Sequence, residues 1–200
     1  MAVIGNPIGF LNSSAKPIIG TLANAFQANC LKQAKITTAT QLVAGDPLVV
    51  LVSQANQSSN PIGGLNPFNQ SITAKATTAT GGKASTDCCG FLIVNSNDLV
   101  TTGGVGLPYQ GQVCMYAPLG QGALIWLEVA QQNLAGFNTN LDTNTALTID
   151  SANGGVKVGT GADILVGAKI AQGVVDCQKV SIVGGTATLV DCKGILVQLS

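Results

Sequence analysis

The chain has 200 residues, 46% of them hydrophobic and only 9% charged, with nine cations, nine anions and no histidine. That length suits one domain, or one domain with an arm, and buries roughly 70% of the unfolded surface without a disulfide or metal staple. All the cations are scattered Lys, with no Arg and a net charge of zero. This excludes the basic face that releases counterions from duplex nucleic acid and the bidentate reader of guanine and phosphate.

Solubility must come from Ser, Thr, Asn, Gln and Gly rather than from charge. Such a surface has weak long-range electrostatics and invites close packing on another surface. The opening Met1-Ala2-Val3-Ile4-Gly5-Asn6-Pro7 lacks the positive region of a secretory leader. No apolar run approaches the ~20 residues that span a bilayer. Synthesis in the cytosol is therefore expected, with no membrane partner. Cys30, Cys88, Cys89, Cys114, Cys177 and Cys192 are expected as free, mostly buried thiols, because no C-x-x-C spacing marks a zinc site.

In chain order, residues 1–35 differ from the rest. Pro7, Pro17, Gly5, Gly9 and Gly20 break regular structure, and Ile4, Ile8, Phe10, Leu11, Ile18 and Ile19 are apolar without period. The segment reads as an extended N-terminal arm whose six apolar residues form an interface with a partner or another subunit. The alternative over 21–34 is one short helix capped by Thr21, with Leu22, Ala25, Phe26 and Cys30 on one face. Deleting the arm is expected to leave the remaining β core intact.

Residues 36–200 read as a β domain. Pro47-Leu48-Val49-Val50-Leu51-Val52 is a strand, followed by a long polar loop over 53–71 and a polar strand from Ile72 to Thr80. The densest apolar runs lie between Cys88 and Ala130. They are Cys88 to Val94, Val113 to Tyr116 and Ala123 to Val129, separated by Gly- and Pro-rich gaps. Further on, Asn153-Gly154-Gly155 joins two short runs as a hairpin, and Gly184-Gly185 joins Val180–Val183 to Thr186–Val190. Ile164 to Ile170, Val174 to Cys177 and Ile195 to Leu199 supply the remaining strands. The fold class is all-β, a β-barrel or β-sandwich with an extended N-terminal arm.

Catalytic patterns are looked for and not found. Without His, the Ser-His-Asp and Cys-His arrangements are excluded. Ser13-Ser14-Ala15-Lys16 has S-x-x-K spacing but lies in a Pro/Gly-rich segment. Gly81-Gly82-Lys83-Ala84 fails as a phosphate loop at both ends. Glu128 and Asp150 are the carboxylates to watch, although sequence alone does not bring them together. Asp142-Thr143-Asn144 and Asp150 to Gly154 look faintly like calcium loops but read better as turns. No catalytic, cofactor-binding or metal residue is assigned, and no enzyme is expected.

The order of the β elements resembles that of tailed-bacteriophage head decoration proteins, the structural cement proteins. A Gly-containing apolar strand, a G-x-V segment and an apolar E-V strand correspond here to Cys89 to Val94, Gly111-Gln112-Val113 and Ile125 to Val129. The later L-x-I-D, Gly-Val and V-G-x-A series corresponds to Leu147-Thr148-Ile149-Asp150, Gly155-Val156 and Val166 to Ile170. The similarity covers about residues 45–199. It implies a β-barrel-like fold without catalysis, a homo-oligomer with a trimer favoured, and the major capsid protein as partner. The implied location is the outer surface of the virion capsid, after synthesis in the host cytoplasm. The alternative is a phage tail or fibre module that contacts a host receptor or surface glycan. Locating the protein on particles separates the two.

The charge reading makes a direct prediction. In a mobility-shift assay the protein should leave duplex DNA unshifted at ~200 mM salt, where binding through few phosphate contacts is screened away.

Overall fold

Alternating apolar runs punctuated by Gly build strands, and ten of them appear among the described residues of the computed structural model. It describes residues 16–23, 30–52, 70–76, 84–93, 113–137, 142–150, 155–159, 161–183 and 186–200. The strands are β1 (Lys32–Ile36), β2 (Pro47–Val52), β3 (Gln70–Lys75), β4 (Gly90–Leu92), β5 (Val113–Pro118), β6 (Ala123–Glu128), β7 (Leu147–Ile149), β8 (Val156–Val158), β9 (Ala168–Val183) and β10 (Thr186–Leu199). One helical turn, α1 (Ala84–Asp87), precedes β4, and a 3-10 segment, Gln131–Phe137, follows β6. The fold is all-β.

Five strands close into a barrel in the order β1-β3-β2-β4-β5. Closure removes the open edges that a short sheet would expose. Inward-facing Ala34, Ile36, Leu48, Ile72, Leu92 and Tyr116 fill it. Gly90 is needed where β4 crosses β5, because a Cβ there would strike the Ala117 carbonyl oxygen.

The second body is a three-stranded antiparallel sheet, β6-β10-β9. One face carries Ile125, Leu127, Ile195, Val197 and Leu199 into the main core, which also holds Phe91 of the barrel and Leu147, Ile149 and Val156 of the β7–β8 hairpin. The other face carries Trp126, Cys177 and Cys192. Cys177 and Cys192 stand directly opposite each other on β9 and β10.

Residues 16–23 lie against this sheet and bond to both of its outer edges. On β9, Ile19 N–H donates to Gln178 O (2.8 Å) and Gln178 N–H to Pro17 O (2.8 Å). On β6, Gly20 N–H donates to Trp126 O (2.8 Å), Trp126 N–H to Thr21 O (3.0 Å) and Ala23 N–H to Leu124 O (2.9 Å). The switch between edges is a turn closed by Thr21 N–H on Ile18 O (3.1 Å), with Gly20 at φ +82° in its third position. Positive φ there is the type II requirement that glycine meets without strain. Ile19 then closes over Trp126, Cys177 and Cys192.

Three expectations need correction. The arm does not end at residue 35, because Lys32–Ile36 is a barrel strand between β3 and β5. A short helix over 21–34 is not formed at either of its described ends. Thr21 to Ala23 bond to β6, and the chain is already in β1 from Lys32. Leu22 pairs with Ile125, and Ala34 and Ile36 face into the barrel, while Ala25 and Phe26 of the expected helical face lie outside the described residues. The β core is also not independent of residues 1–35: losing them would remove β1 from the barrel and the bonds to both sheet edges. Ile4, Ile8, Phe10 and Leu11 lie outside the described residues.

Burial of Ile19 is measurable. Ile19 is 3% exposed and Val183, at the far end of β9, is 72% exposed. In denaturant titrations Ile19→Ala should cost about 2–5 kcal/mol, whereas Val183→Ala should stay within about 0.5 kcal/mol.

Candidate functional site

A charged cleft of about 660 Å³ lies where the barrel, the β6-β10-β9 sheet and the β7–β8 hairpin meet. Its walls come from the 41–47 loop, Lys75 at the end of β3, Glu128 at the end of β6, Ile149 and Asp150, and residues 179–182 of β9. In an otherwise charge-poor chain, three carboxylates and two ammonium groups gather here.

Each charge has a partner. Asp46 Oδ1 meets Lys75 Nζ at 2.5 Å, and Asp46 Oδ2 accepts from Val43 N–H at 2.7 Å. Burial outweighs the attraction of Lys75 and raises the Asp46 carboxyl above its ordinary value. Glu128 Oε1 meets Lys179 Nζ at 2.6 Å, tying β6 to β9 across β10. Asp150 Oδ2 accepts from Asn133 Nδ2 at 2.7 Å. Glu128 and Asp150, which sequence could not bring together, therefore do line one cleft. Their partners make them bracing groups for its walls. Among the described residues no group of three or more His, Cys, Asp or Glu is placed to hold a metal ion.

Beside the cleft, β9 and β10 run on as a two-stranded ribbon. They have 16 and 14 residues, against a usual strand of about 5–6. β6 pairs with β10 only from Gly194 to Leu199. Beyond that the ribbon carries Val183 (72% exposed) and Leu189 (41% exposed) near its tip. An ion-pair ladder lies on its outer surface: Lys16 with Asp191 at 2.6 Å and Lys193 with Asp176 at 2.8 Å. The hydrogen bonds from Lys193 and Lys16 hold the Asp176 and Asp191 carboxyls below their ordinary values.

Other singled-out residues have structural roles. Lys16 of the S-x-x-K sequence is in the ladder, while Ser13 lies outside the described residues. Ala84, next to the Gly81-Gly82-Lys83 sequence, starts α1; there the Asp163 carboxylate accepts from Ser85 N–H (3.0 Å) and Thr86 N–H (2.9 Å). Asp142 Oδ1 accepts from Asn144 N–H at 2.9 Å, so that sequence is a turn. Of the 53–71 loop, residues 53–69 lie outside the described set, and Gln70 and Ser71 belong to β3.

Sequence reasoning missed the Asp46–Lys75 pair. Its only local signal was Asp46 next to Pro47 at a strand start, which reads as a turn. The Glu128–Lys179 pair was also hidden, because its members are fifty-one residues apart. No family model, curated protein or solved structure matches the chain. No helix among the described residues is long and apolar enough to cross a membrane.

The cysteines are free thiols, with Cys88, Cys177 and Cys192 buried. Burial pushes all three up to about 12 from an ordinary 9.0. At about pH 8 they should resist a thiol reagent in the native protein, and denaturant should release all six thiols. The folded state keeps protons that the unfolded chain loses above about pH 9. The contribution of these thiols to stability should therefore be intact below pH 9 and fall as pH rises towards 12. Denaturation midpoints taken across that window check the sign.

Proposed function

We propose that this protein is a non-catalytic structural component of a virion, a decoration protein that binds the outer surface of a bacteriophage head and braces the shell. The observation that carries the reading is the β9–β10 ribbon, which runs past its own sheet and presents Val183 and Leu189 to solvent. Long strands that outrun their partners suit contact with another molecule better than burial in their own core.

The barrel wall supports the same reading. Leu51, Ser71, Lys35 and Val113 fall in one row across β2, β3, β1 and β5, and Leu51 and Val113 are both exposed. Two exposed apolar side chains flanking Ser71 and the single charge of Lys35 suit many weak contacts repeated over a lattice, where summed copies replace single-site affinity. The cleft's carboxylates are engaged by Lys75, Lys179 and Asn133, which fits bracing better than acid–base chemistry. The partner in this reading is the major capsid protein, with the decoration protein acting as a homo-oligomer, a trimer favoured, without nucleic acid or membrane.

The test is imaging of particles by electron cryomicroscopy together with rebinding of purified protein to stripped heads. Ordered density at repeated positions on the head is expected, and Val183→Asp with Leu189→Asp should lower occupancy. Density confined to the tail would replace this reading with receptor binding, and absence from particles would end it.

A further inference from the structure

The outer edge of β9 is only half used. Along a strand, alternate residues point their N–H and C=O groups to opposite sides. Gln178 directs both of its groups to Pro17 and Ile19. Val180 and Ile182 therefore face the same outer side, while Lys179 and Ser181 face β10. The chain turns away at Ile19–Gly20 and crosses to β6, so it leaves that edge before Val180. Among the described residues no backbone group bonds to the outer side of Val180 or Ile182. Both residues line the cleft.

An open strand edge inside a cleft is a receptor for an extended polypeptide, whose backbone completes the ladder while its side chains fill the adjoining space. The space here suits an uncharged, apolar segment. Its charges are engaged in Asp46–Lys75, Glu128–Lys179 and Asn133–Asp150, and Ile19, Val43, Pro47, Ile149, Val180 and Ile182 supply apolar wall. Residues 1–15 of this chain fit that description. They contain no charged side chain and place Ile4, Ile8, Phe10 and Leu11 along an otherwise small and polar stretch.

Direction decides whose segment enters. The bridge from Ile18 to Gln178 is parallel, so the chain arrives at Lys16 from the Gly173 end of β9 and runs towards the cleft. Within one molecule the chain therefore approaches Val180 and Ile182 and turns off the edge at Ile19–Gly20 before it reaches them, so a segment preceding Lys16 would have to double back to lie there. We propose that the cleft receives residues 1–15 of a second copy of this chain, added as a strand to the β9 edge at Val180–Ile182. This gives the homo-oligomer of the proposed function a defined joint and rests on that reading for its purpose.

The test uses the full chain in sedimentation velocity over a concentration series, with and without an excess of a synthetic peptide of residues 1–15. Concentration-dependent self-association is expected, and the peptide should reverse it. Ile182→Pro removes only an outward N–H, which an edge strand tolerates. It should keep the native circular dichroism spectrum and weaken association by about tenfold or more, the loss of one hydrogen bond plus the ring's obstruction of the added strand. A chain that stays monomeric at every concentration overturns the proposal. So does an oligomer that neither the peptide nor Ile182→Pro disturbs. Should Ile182→Pro misfold, competition by the peptide on the unaltered chain decides alone. Head occupancy, measured separately, distinguishes the two readings. A chain that decorates heads without peptide-sensitive association removes the strand exchange and leaves the decoration role. Peptide-sensitive association without head binding does the reverse.

Discussion

Backbone hydrogen bonds at sheet edges are the constraint on which this structure depends. A chain with so few charges cannot guard an open edge with Lys or Glu, the usual defence against unwanted pairing. It uses closure instead. The barrel joins β5 back to β1, and residues 17–23 reach both edges of the β6-β10-β9 sheet. One glycine, Gly20, makes the crossing feasible, since the turn needs positive φ and a Cβ there would also meet Ala44 and Gly45.

Room for the crossing is made elsewhere in the sequence. Ile19 packs over Gly194, where an added Cβ would lie 2.6 Å from Cys177 Sγ and 2.9 Å from Ile19 Cδ1. The small residues of β9 and β10 thus serve the arm as much as the sheet. Trp126 occupies the same cluster with Nε1 buried and without a hydrogen-bond partner among the described residues. An orphaned donor of that kind costs about 1–3 kcal/mol, which the apolar contacts around the ring must offset.

Legibility in the sequence follows the range of the interactions. β2 and β6 were evident because each is a dense apolar run bounded by Pro, Gly or a polar break, and the β7–β8 pair because Asn153-Gly154 punctuates it. β9 was read as separate strands, since Gly173 and the polar Gln178-Lys179 look like interruptions. In the structure both sit inside one continuous strand, which pairs with β10 along its length and takes up two register shifts between Gly194 and Val197. β1 was missed: Lys32 and Lys35 face solvent and only Ala34 and Ile36 face inward, too short a pattern to stand out at the end of a segment read as an arm. The cleft was illegible for a different reason. Its residues come from loop, barrel, sheet and hairpin, from Ile19 to Ile182, and no local pattern marks contacts made across so much of the chain.

The opposed Cys177 and Cys192 have a chemical corollary. They fall on a hydrogen-bonded rung of the β9–β10 ladder, as the outward bonding of the adjacent Gln178 requires. On such rungs the Cα atoms are about 5.5 Å apart, and the side chains stand farther from each other than on the alternate rungs. A disulfide wants Cβ atoms about 3.5–4.5 Å apart. The wider side-chain spacing of that rung sets two buried free thiols side by side in a geometry that disfavours closing a disulfide. Both thiols are also buried, so an oxidant reaches neither of them until the β9–β10 ladder opens.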